Sequence, residues 1–487
     1  MPSLDPMTAG IALGAYVLAQ LAFGLWVGRN VRTQSDYFLA GRQLGFVPIA
    51  LSVFATWFGA ETLIGSSAAI ATDGLSGARA EPFGYAICLF AMALLIAGQF
   101  RARGYVTLAD FFRDRFDPNT ERLAALITIV VSVIWAAAQL LALAAILRIA
   151  IGLPETATLV AATAIVIGYT TFSGLLGDVA TDVVQSVVLT VCLLVVFAAL
   201  AQSFGGVGPM LARIEPEQLT LVAPGESWLA RLDSWAIPIL GSLITQEAMS
   251  RFLAAKTPST ARRATFAAGL LYLALGAIPV IIGLAGAHHP GVADAGDAFL
   301  PQLARELLPQ ALFLAFCAAL LSAILSTVDS NLLSVSSMVT VNLLGARDRA
   351  ASEVQRLRMA RWATIGAGLC ALLIALSGQT IYELIALTSV FGQAGILVAV
   401  LFGLFGRFGG RGAAAAALWA GLAVNAATLA VWPLAAAMAD GAAFADAVML
   451  LAAGEAPAFD GAFLLSVAAC IAAYAAVAWR ERRKGLA

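Results

Sequence analysis

Apolar stretches of about 20 residues recur along the chain and alternate with short polar segments. About 20 predominantly apolar residues are what one helix needs to cross the hydrocarbon core of a bilayer. The pattern therefore predicts an all-α integral membrane protein with a lipid bilayer as its main partner. It predicts thirteen transmembrane helices, at 8–28, 46–71, 82–100, 121–151, 157–175, 182–203, 234–254, 264–287, 309–343, 359–378, 381–405, 412–435 and 462–480.

The basic residues test this count and orient the chain. If the amino terminus lies outside, segments on the cytoplasmic side carry 23 of the 28 lysines and arginines. Cytoplasmic loops are enriched in these residues, and a wrong number of spans would invert the later loops and remove the bias. We therefore expect a multi-pass protein of the inner (cytoplasmic) membrane, with its amino terminus outside and its carboxyl terminus inside.

Composition narrows the class of protein further. Hydrophobic residues make up 61% of the 487 residues and charged residues 12%, about half of the ~25% charged residues in soluble proteins. This balance excludes a soluble enzyme and a nucleic-acid binder. Cysteines and the two adjacent histidines form no catalytic or metal-ligating spacing, so we expect neither an enzyme nor an organic cofactor.

The second predicted span contains an interruption around Gly59. Two glycines, Gly59 and Gly65, flank the acidic Glu61 and follow Trp57 closely. A helix that unwinds there would free carbonyl groups for a cation, and unwound backbone is tolerated at this depth only where it lines a cavity. Close helix packing at small residues is the alternative explanation, and spacing alone leaves both open.

The seventh predicted span has a similar interruption at Pro238 and Gly241, followed by polar residues up to Glu247. It lies five spans after the first interrupted one. Interrupted helices in corresponding positions of two halves are typical of inverted-repeat transporters. A proline kink with an interfacial pair of Glu247 and Arg251 is the alternative.

The ninth predicted span carries five polar side chains within six residues, from Ser326 to Asn331. Hydroxyl, carboxylate and carbonyl oxygens are ligands that small hard cations prefer. Asp182 and Gln185, one turn apart in the sixth span, are expected to face this cluster. A hydrogen-bond network between helices is the alternative.

Four segments together resemble the sodium:solute symporter family. They are Asp36–Arg42 with Leu51–Trp57, Gly174–Gln185, Gln246–Lys256 and Ala323–Ser330. The resemblance implies a LeuT-type fold, a five-plus-five inverted repeat with broken first and sixth core helices. It divides the single transporter domain, 1–487, into a leading helix at 8–28, repeats at 46–203 and 234–405, and two trailing helices within 412–480.

The same resemblance implies the ion sites. Sodium, Na+, is expected at the carbonyls of Ala55, Phe58 and Ala323 and at the hydroxyls of Ser326 and Thr327. A second ion is implied at Asp182, Asp329 and Ser330, where Asp329 replaces a serine that is usual in members with that ion.

Within the family, the segments Pro82–Tyr85, Arg103–Thr107 and Trp135–Ala138 look most like the high-affinity choline transporter branch. Trp57 and Trp135 would supply an aromatic cage, but Thr245 stands where that branch has a tryptophan. The expected substrate-binding residues are Trp57, Glu61, Thr62, Trp135, Gln139, Ser242, Thr245, Gln246 and Phe391.

The sequence thus predicts a sodium-coupled symporter that imports a small organic solute, works as a monomer and binds no nucleic acid. Choline or another quaternary amine, an amino acid, a monocarboxylate and a vitamin all remain open as solutes. Two alternatives also stay open: a solute sensor that acts with a partner signalling chain, and a symporter coupled to protons instead of sodium.

Overall fold

The structure is a computed structural model and describes residues 6–59, 61–151, 154–292, 296–345, 351–377, 384, 388, 392–406, 408–439 and 459–484. These residues are almost entirely helical. Within them there is no β-strand, and one isolated bridge joins Leu44 to Ala255. The all-α class predicted from the sequence is confirmed.

The chain's helices are as follows. In the first half they are α1 (Pro6–Gly28), α2 (Gln34–Leu39), α3 (Phe46–Trp57), α4 (Ser66–Asp73), α5 (Tyr85–Met92), α6 (Gly98–Arg103), α7 (Ala109–Arg115), α8 (Pro118–Ile151), α9 (Glu155–Ser203) and α10 (Val207–Leu211). In the second half they are α11 (Trp228–Ala236), α12 (Gln246–Leu253), α13 (Pro258–Gly286), α14 (Phe299–Leu307), α15 (Gln310–Met338), α16 (Glu353–Ala375), α17 (Gln393–Phe405), α18 (Arg411–Ala426), α19 (Trp432–Ala439) and α20 (Ala462–Arg483).

Several turns of π-helix join or extend these helices. They are Glu61–Gly65, Arg79–Gly84, Ala93–Ala97, Ile237–Gly241, Val339–Leu343 and Ala427–Val431. The remaining short 3₁₀ turns are Ala40–Arg42, Gly74–Ala78, Pro216–Leu219 and Gly296–Ala298.

By length and composition, nine helical stretches of the described chain are apolar enough to cross a membrane. The shorter apolar helices α3 and α17 add to them. The count of thirteen transmembrane helices stays a prediction. Two of the predicted spans, 157–175 and 182–203, form one long helix, α9, in the structure. Its helical path is interrupted only at Gly174, where φ is +56° and a Cβ atom would lie 2.9 Å from Tyr37.

The centre of the molecule is α15, which packs against α8, α9, α16 and α3. From Phe316 to Met338 every residue of this helix is buried, including its serines, Thr327 and Asp329. The leading helix α1 covers α9 and also contacts α8 and α15. The polar cluster of the ninth predicted span therefore faces protein on all sides instead of lipid.

Two interrupted helices lie beside this centre. The first helix ends as an α-helix at Trp57. The chain becomes helical again in the π-turn that begins at Glu61, and this turn continues into α4. The second passes from α11 through the π-turn ending at Gly241 and restarts as α12 at Gln246. Both breaks occur where glycine and polar residues interrupt the apolar pattern.

Backbone hydrogen bonds join the chain segments next to the two interrupted helices. The Leu44 amide, shortly before α3, donates to the Ala254 carbonyl at 3.2 Å, and the Lys256 amide donates to the Leu44 carbonyl at 3.0 Å. Ala254 and Lys256 directly follow α12. Backbone hydrogen bonds therefore link the start of α3 to the end of α12.

Candidate functional site

A cavity lies between the two helix breaks and helices α8 and α15, and its empty space of about 800 Å³ includes the part that is open to solvent. Both breaks contribute residues to its wall, and so does the middle of α8. The lining residues are Thr56, Trp57, Gly59, Glu61, Glu81, Tyr85, Thr128, Val131, Ser132, Trp135, Gln139, Ile237, Gly241, Ser242, Thr245, Gln246, Glu247, Thr327, Asn331, Thr388 and Gln393.

The break in the first helix redirects its backbone hydrogen bonds. The Gly59 amide donates to the Trp57 carbonyl at 2.9 Å, so it does not serve the Ala55 carbonyl four residues back. The Trp57 carbonyl also accepts a bond from the Thr62 hydroxyl at 3.1 Å. Side-chain and local bonds thus satisfy a carbonyl that the helix no longer pairs, as interrupted helices in membranes require.

Gly59 brings the broken backbone against α15. A Cβ atom at this position would lie 2.8 Å from Thr327 Oγ1 and 3.8 Å from the Ala323 carbonyl. Thr327 Oγ1 is itself 3.2 Å from the carbonyls of both Thr56 and Ala323. Hydroxyl and carbonyl oxygens of two helices therefore converge at this contact, a donor set that suits a hard cation.

The structure brings only part of the predicted sodium-binding set to this contact. Ala323 and Thr327 are there, and Phe58 forms the end of α3 with a ψ of +61°. The hydroxyl of Ser326 instead donates to Asp182 Oδ1. Thr56 supplies the carbonyl that meets Thr327, one residue beyond the predicted Ala55.

Two of the residues predicted to hold a second ion, Asp182 and Ser330, contact a buried arginine. The guanidinium of Arg251 is fully buried, and its Nη2 lies 2.6 Å from Asp178 Oδ2 and 3.5 Å from Asp182 Oδ2. It also donates to the Ser330 hydroxyl. Asp329 lies in the same interior and accepts a hydrogen bond from Thr170.

Of the predicted substrate-binding residues, seven line the cavity: Trp57, Glu61, Trp135, Gln139, Ser242, Thr245 and Gln246. Thr62 lies behind the wall, where its hydroxyl is 2.8 Å from that of Tyr272. Phe391 lies outside the described residues. Gln246 has a second contact, because its Oε1 accepts from the Leu108 amide at 2.6 Å, which ties the start of α12 to the segment before α7.

Sequence reasoning missed Asp178, Glu81 and Tyr272. Both carboxylates fall between predicted spans, where hydropathy predicts connecting segments. Asp178 instead lies inside α9 and is fully buried, and Glu81 is 3% exposed and accepts a hydrogen bond from Tyr272. Asp178 and its partner Arg251 are 73 residues apart in sequence, so local spacing does not indicate that they form a pair.

Comparisons with known proteins give a consistent result. A family model described as the sodium:solute symporter family matches residues 37–424. The high-affinity choline transporter 1 of Drosophila melanogaster is 28% identical over 397 residues, which cover 78% of this chain and 64% of that protein. The chain thus matches less than two thirds of that relative's length.

A second relative and a solved structure extend the comparison. The osmoregulated proline transporter of Bacillus subtilis (strain 168) is 28% identical over 445 residues, covering 87% of this chain and 88% of that protein. The structure of a Na+-coupled sialic acid symporter in a substrate-bound outward-open state superposes with a TM-score of 0.79 at 17% identity. It covers 97% of both chains, which supports a common fold.

Proposed function

Because the chain belongs to the sodium:solute symporter family, we propose that it couples the import of a small organic solute to the entry of Na+. The family and the similar proteins are transporters and not enzymes. The observation that carries the proposal is the convergence of Gly59, Thr327 and the Ala323 carbonyl at the break of the first helix. This contact adjoins the cavity, because Gly59 and Thr327 also line it.

Sodium would bind between the broken helix and α15. The proposed ligands are the carbonyls of Ala55, Phe58 and Ala323 and the hydroxyls of Ser326 and Thr327, with Thr56 adjacent. An ion held by both elements favours the conformation in which they are close, and the solute cavity next to it is then complete. Such coupling is reciprocal: if sodium raises the affinity for solute, solute raises the affinity for sodium by the same factor.

A second cation at Asp182, Asp329 and Ser330 is compatible with the charge of that interior. The carboxylates of Asp178, Asp182 and Asp329 outnumber the single guanidinium of Arg251. Buried charges need compensation, so the excess favours one more cation or bound protons. Proton coupling is for this reason the second candidate function.

The remaining features follow from the same proposal. The repeats would be 46–203 and 234–405, with the leading helix at 8–28 and the trailing helices within 412–480. The protein would lie in the inner membrane with its amino terminus outside, and one copy would contain both the ion site and the solute cavity.

The test begins with a thermal-shift measurement on purified protein in sodium and in potassium, with a panel of small metabolites. A ligand of the native state raises the melting temperature by mass action. Metabolites that stabilise the protein in sodium are then offered, radiolabelled, to proteoliposomes with an inward sodium gradient.

Accumulation that requires the sodium gradient supports symport. Binding without accumulation would identify a sensor, and accumulation driven by a pH gradient in sodium-free buffer would identify a proton symporter. Either result would overturn the sodium-coupled function.

A further inference from the structure

Three acidic side chains line the cavity, and they come from different elements. Glu61 opens the π-turn after the first break, Glu81 lies in the π-turn before α5, and Glu247 lies in the first turn of α12. Glu61 and Glu247 are half-buried, whereas Glu81 is 3% exposed. The chain thus brings three carboxyl groups from separate helical elements to one cavity.

No basic side chain balances them among the described lining residues, which include no lysine, arginine or histidine. Arg251 follows Glu247 by one turn, yet its Nη2 is 2.6 Å from Asp178 and its Nη1 donates to the backbone carbonyl of Glu247 at 3.1 Å. The nearby guanidinium is therefore committed to another carboxylate. Carboxylates that are partly removed from water require a compensating charge or proton.

Aromatic rings form the adjoining part of the wall. Trp57 and Tyr85 both line the cavity, and their rings are 5.3 Å apart between centroids. Tyr272 is buried behind them, with its ring 6.4 Å from that of Tyr85. Aromatic faces attract cations through their quadrupoles. Rings and carboxylates thus favour a positively charged guest in the same cavity.

Resting on the proposed transport function, we infer that the solute is an organic cation whose charged nitrogen carries N–H groups, such as a primary ammonium or a guanidinium. Carboxylate oxygens accept hydrogen bonds, and charge-assisted bonds are about twice as strong as neutral ones. A quaternary ammonium has no N–H to donate and would leave these acceptors unmet. An anionic solute would meet three carboxyl groups and no basic side chain among the described lining residues.

The wall residues differ in what they offer such a solute. Glu81 already accepts from the Tyr272 hydroxyl, which in turn is bonded to Thr62, so its position is fixed by two neighbours. Glu61 and Glu247 lie at the two helix breaks, and both line the cavity. We assign the recognition of the cationic head to Glu61 and Glu247, with Glu81 adding negative potential.

Purified protein is first tested for stabilisation by sodium over potassium, which needs no solute. The melting temperature in sodium is then measured with putrescine and agmatine as N–H cations, choline as a quaternary cation, L-proline as a zwitterion and lactate as an anion. We expect the N–H cations to raise the melting temperature at millimolar concentration and the other probes to leave it unchanged.

The variants Glu61→Gln and Glu247→Gln keep the shape of each side chain and remove its charge. Each is expected to weaken cation binding at least tenfold, which is about 1.4 kcal/mol, while the sodium-dependent shift persists and shows that the variant is folded. The matched control is Glu217→Gln, an exposed glutamate of the 3₁₀ turn Pro216–Leu219, which should bind the cations like the parent protein.

The outcomes separate the two levels of inference. Sodium-driven uptake of lactate or proline, or a rise in melting temperature with choline alone, would contradict the proposal that the solute is an N–H cation. The proposed symport function would remain. The same proposal would be contradicted if both glutamine variants bound the cations with unchanged affinity. It would also be contradicted if the N–H cations did not raise the melting temperature of a protein that sodium stabilises. Absence of any sodium effect on stability and on uptake of every probe would overturn the symport function itself.

Discussion

The guanidinium of Arg251 and the carboxylate of Asp178 lie 2.6 Å apart in the interior, with neither side chain more than 1% exposed. Their pairing joins α12, the second half of one broken helix, to α9. Removing one partner of a buried pair leaves an uncompensated charge, which costs about 3–5 kcal/mol, whereas removing both costs much less.

Arg251→Gln should therefore lower the melting temperature of the detergent-purified protein strongly. The double variant Asp178→Asn/Arg251→Gln should recover part of that loss, because one buried negative charge disappears with the positive one. Arg305→Gln, an exposed arginine of α14, provides the control. Equal melting temperatures for the single and double variants would show that the pair is not energetically coupled.

Thr327→Ala should weaken sodium dependence. It removes one hydroxyl from the contact with the broken helix and leaves the rest of the cavity wall intact. The sodium concentration for half-maximal uptake should rise about tenfold, or 1.4 kcal/mol, while the solute KM at saturating sodium moves much less. The control is Ser334→Ala on the same helix, because that hydroxyl bonds only to the Ser330 carbonyl.

Gly59→Ala should impair sodium binding by a steric route. The added methyl group would lie 2.8 Å from Thr327 Oγ1, closer than packed atoms approach, so either the Thr327 hydroxyl must rotate away or the broken helix must move away from α15. Both changes disturb the proposed ligand set. We expect a higher sodium requirement, measured by the sodium-dependent shift in melting temperature. Gly14→Ala in α1, where a Cβ atom meets nothing within 4 Å, should behave like the parent. Wild-type sodium dependence of Gly59→Ala would place the ion elsewhere.

Trp57→Ala should raise the apparent solute KM at least several-fold, because the indole forms part of the aromatic wall next to Tyr85. Sodium-dependent stabilisation should persist. Trp362→Ala removes an indole that is 66% exposed on α16 and should leave KM unchanged. An unaltered KM for Trp57→Ala would show that the indole packs against its neighbours and does not contact the solute.

The orientation is tested with reporter fusions. Because 23 of the 28 basic residues lie on one predicted side, a reporter after Lys484 should be active only in its cytoplasmic form. Periplasmic activity at that position would contradict the span count and the orientation together.

Hydropathy and small residues are the features from which the sequence predicted most. The apolar stretches predicted the helical class. The glycines near Trp57 and the Pro238–Gly241 segment indicated where the two helices could break, while spacing alone left close packing and a proline kink open. These features act locally, since a stretch of about 20 apolar residues or a glycine influences its own helix whatever surrounds it. The resemblance added Thr327 and Ala323, which the structure brings together with Gly59.

The acidic and basic groups of the interior were harder to predict. A charged residue between two apolar stretches is typical of a connecting segment, and hydropathy gives Asp178 and Glu81 this position. Tertiary structure overrides that pattern: α9 continues through Asp178, and the turn Arg79–Gly84 folds Glu81 against Tyr272. Their partners are distant in sequence, so only the folded chain reveals why each charge is tolerated.

The hydrogen bonds between Leu44 and the segment after α12 have a mechanical consequence. They use backbone atoms alone, so a change of side chain at Leu44, Ala254 or Lys256 leaves the donors and acceptors in place. Proline at Leu44 or Lys256, which lacks the amide hydrogen, would remove a donor. We therefore expect a tilt of one broken helix to be transmitted to the other through this backbone connection, so that the two breaks that line the cavity move together.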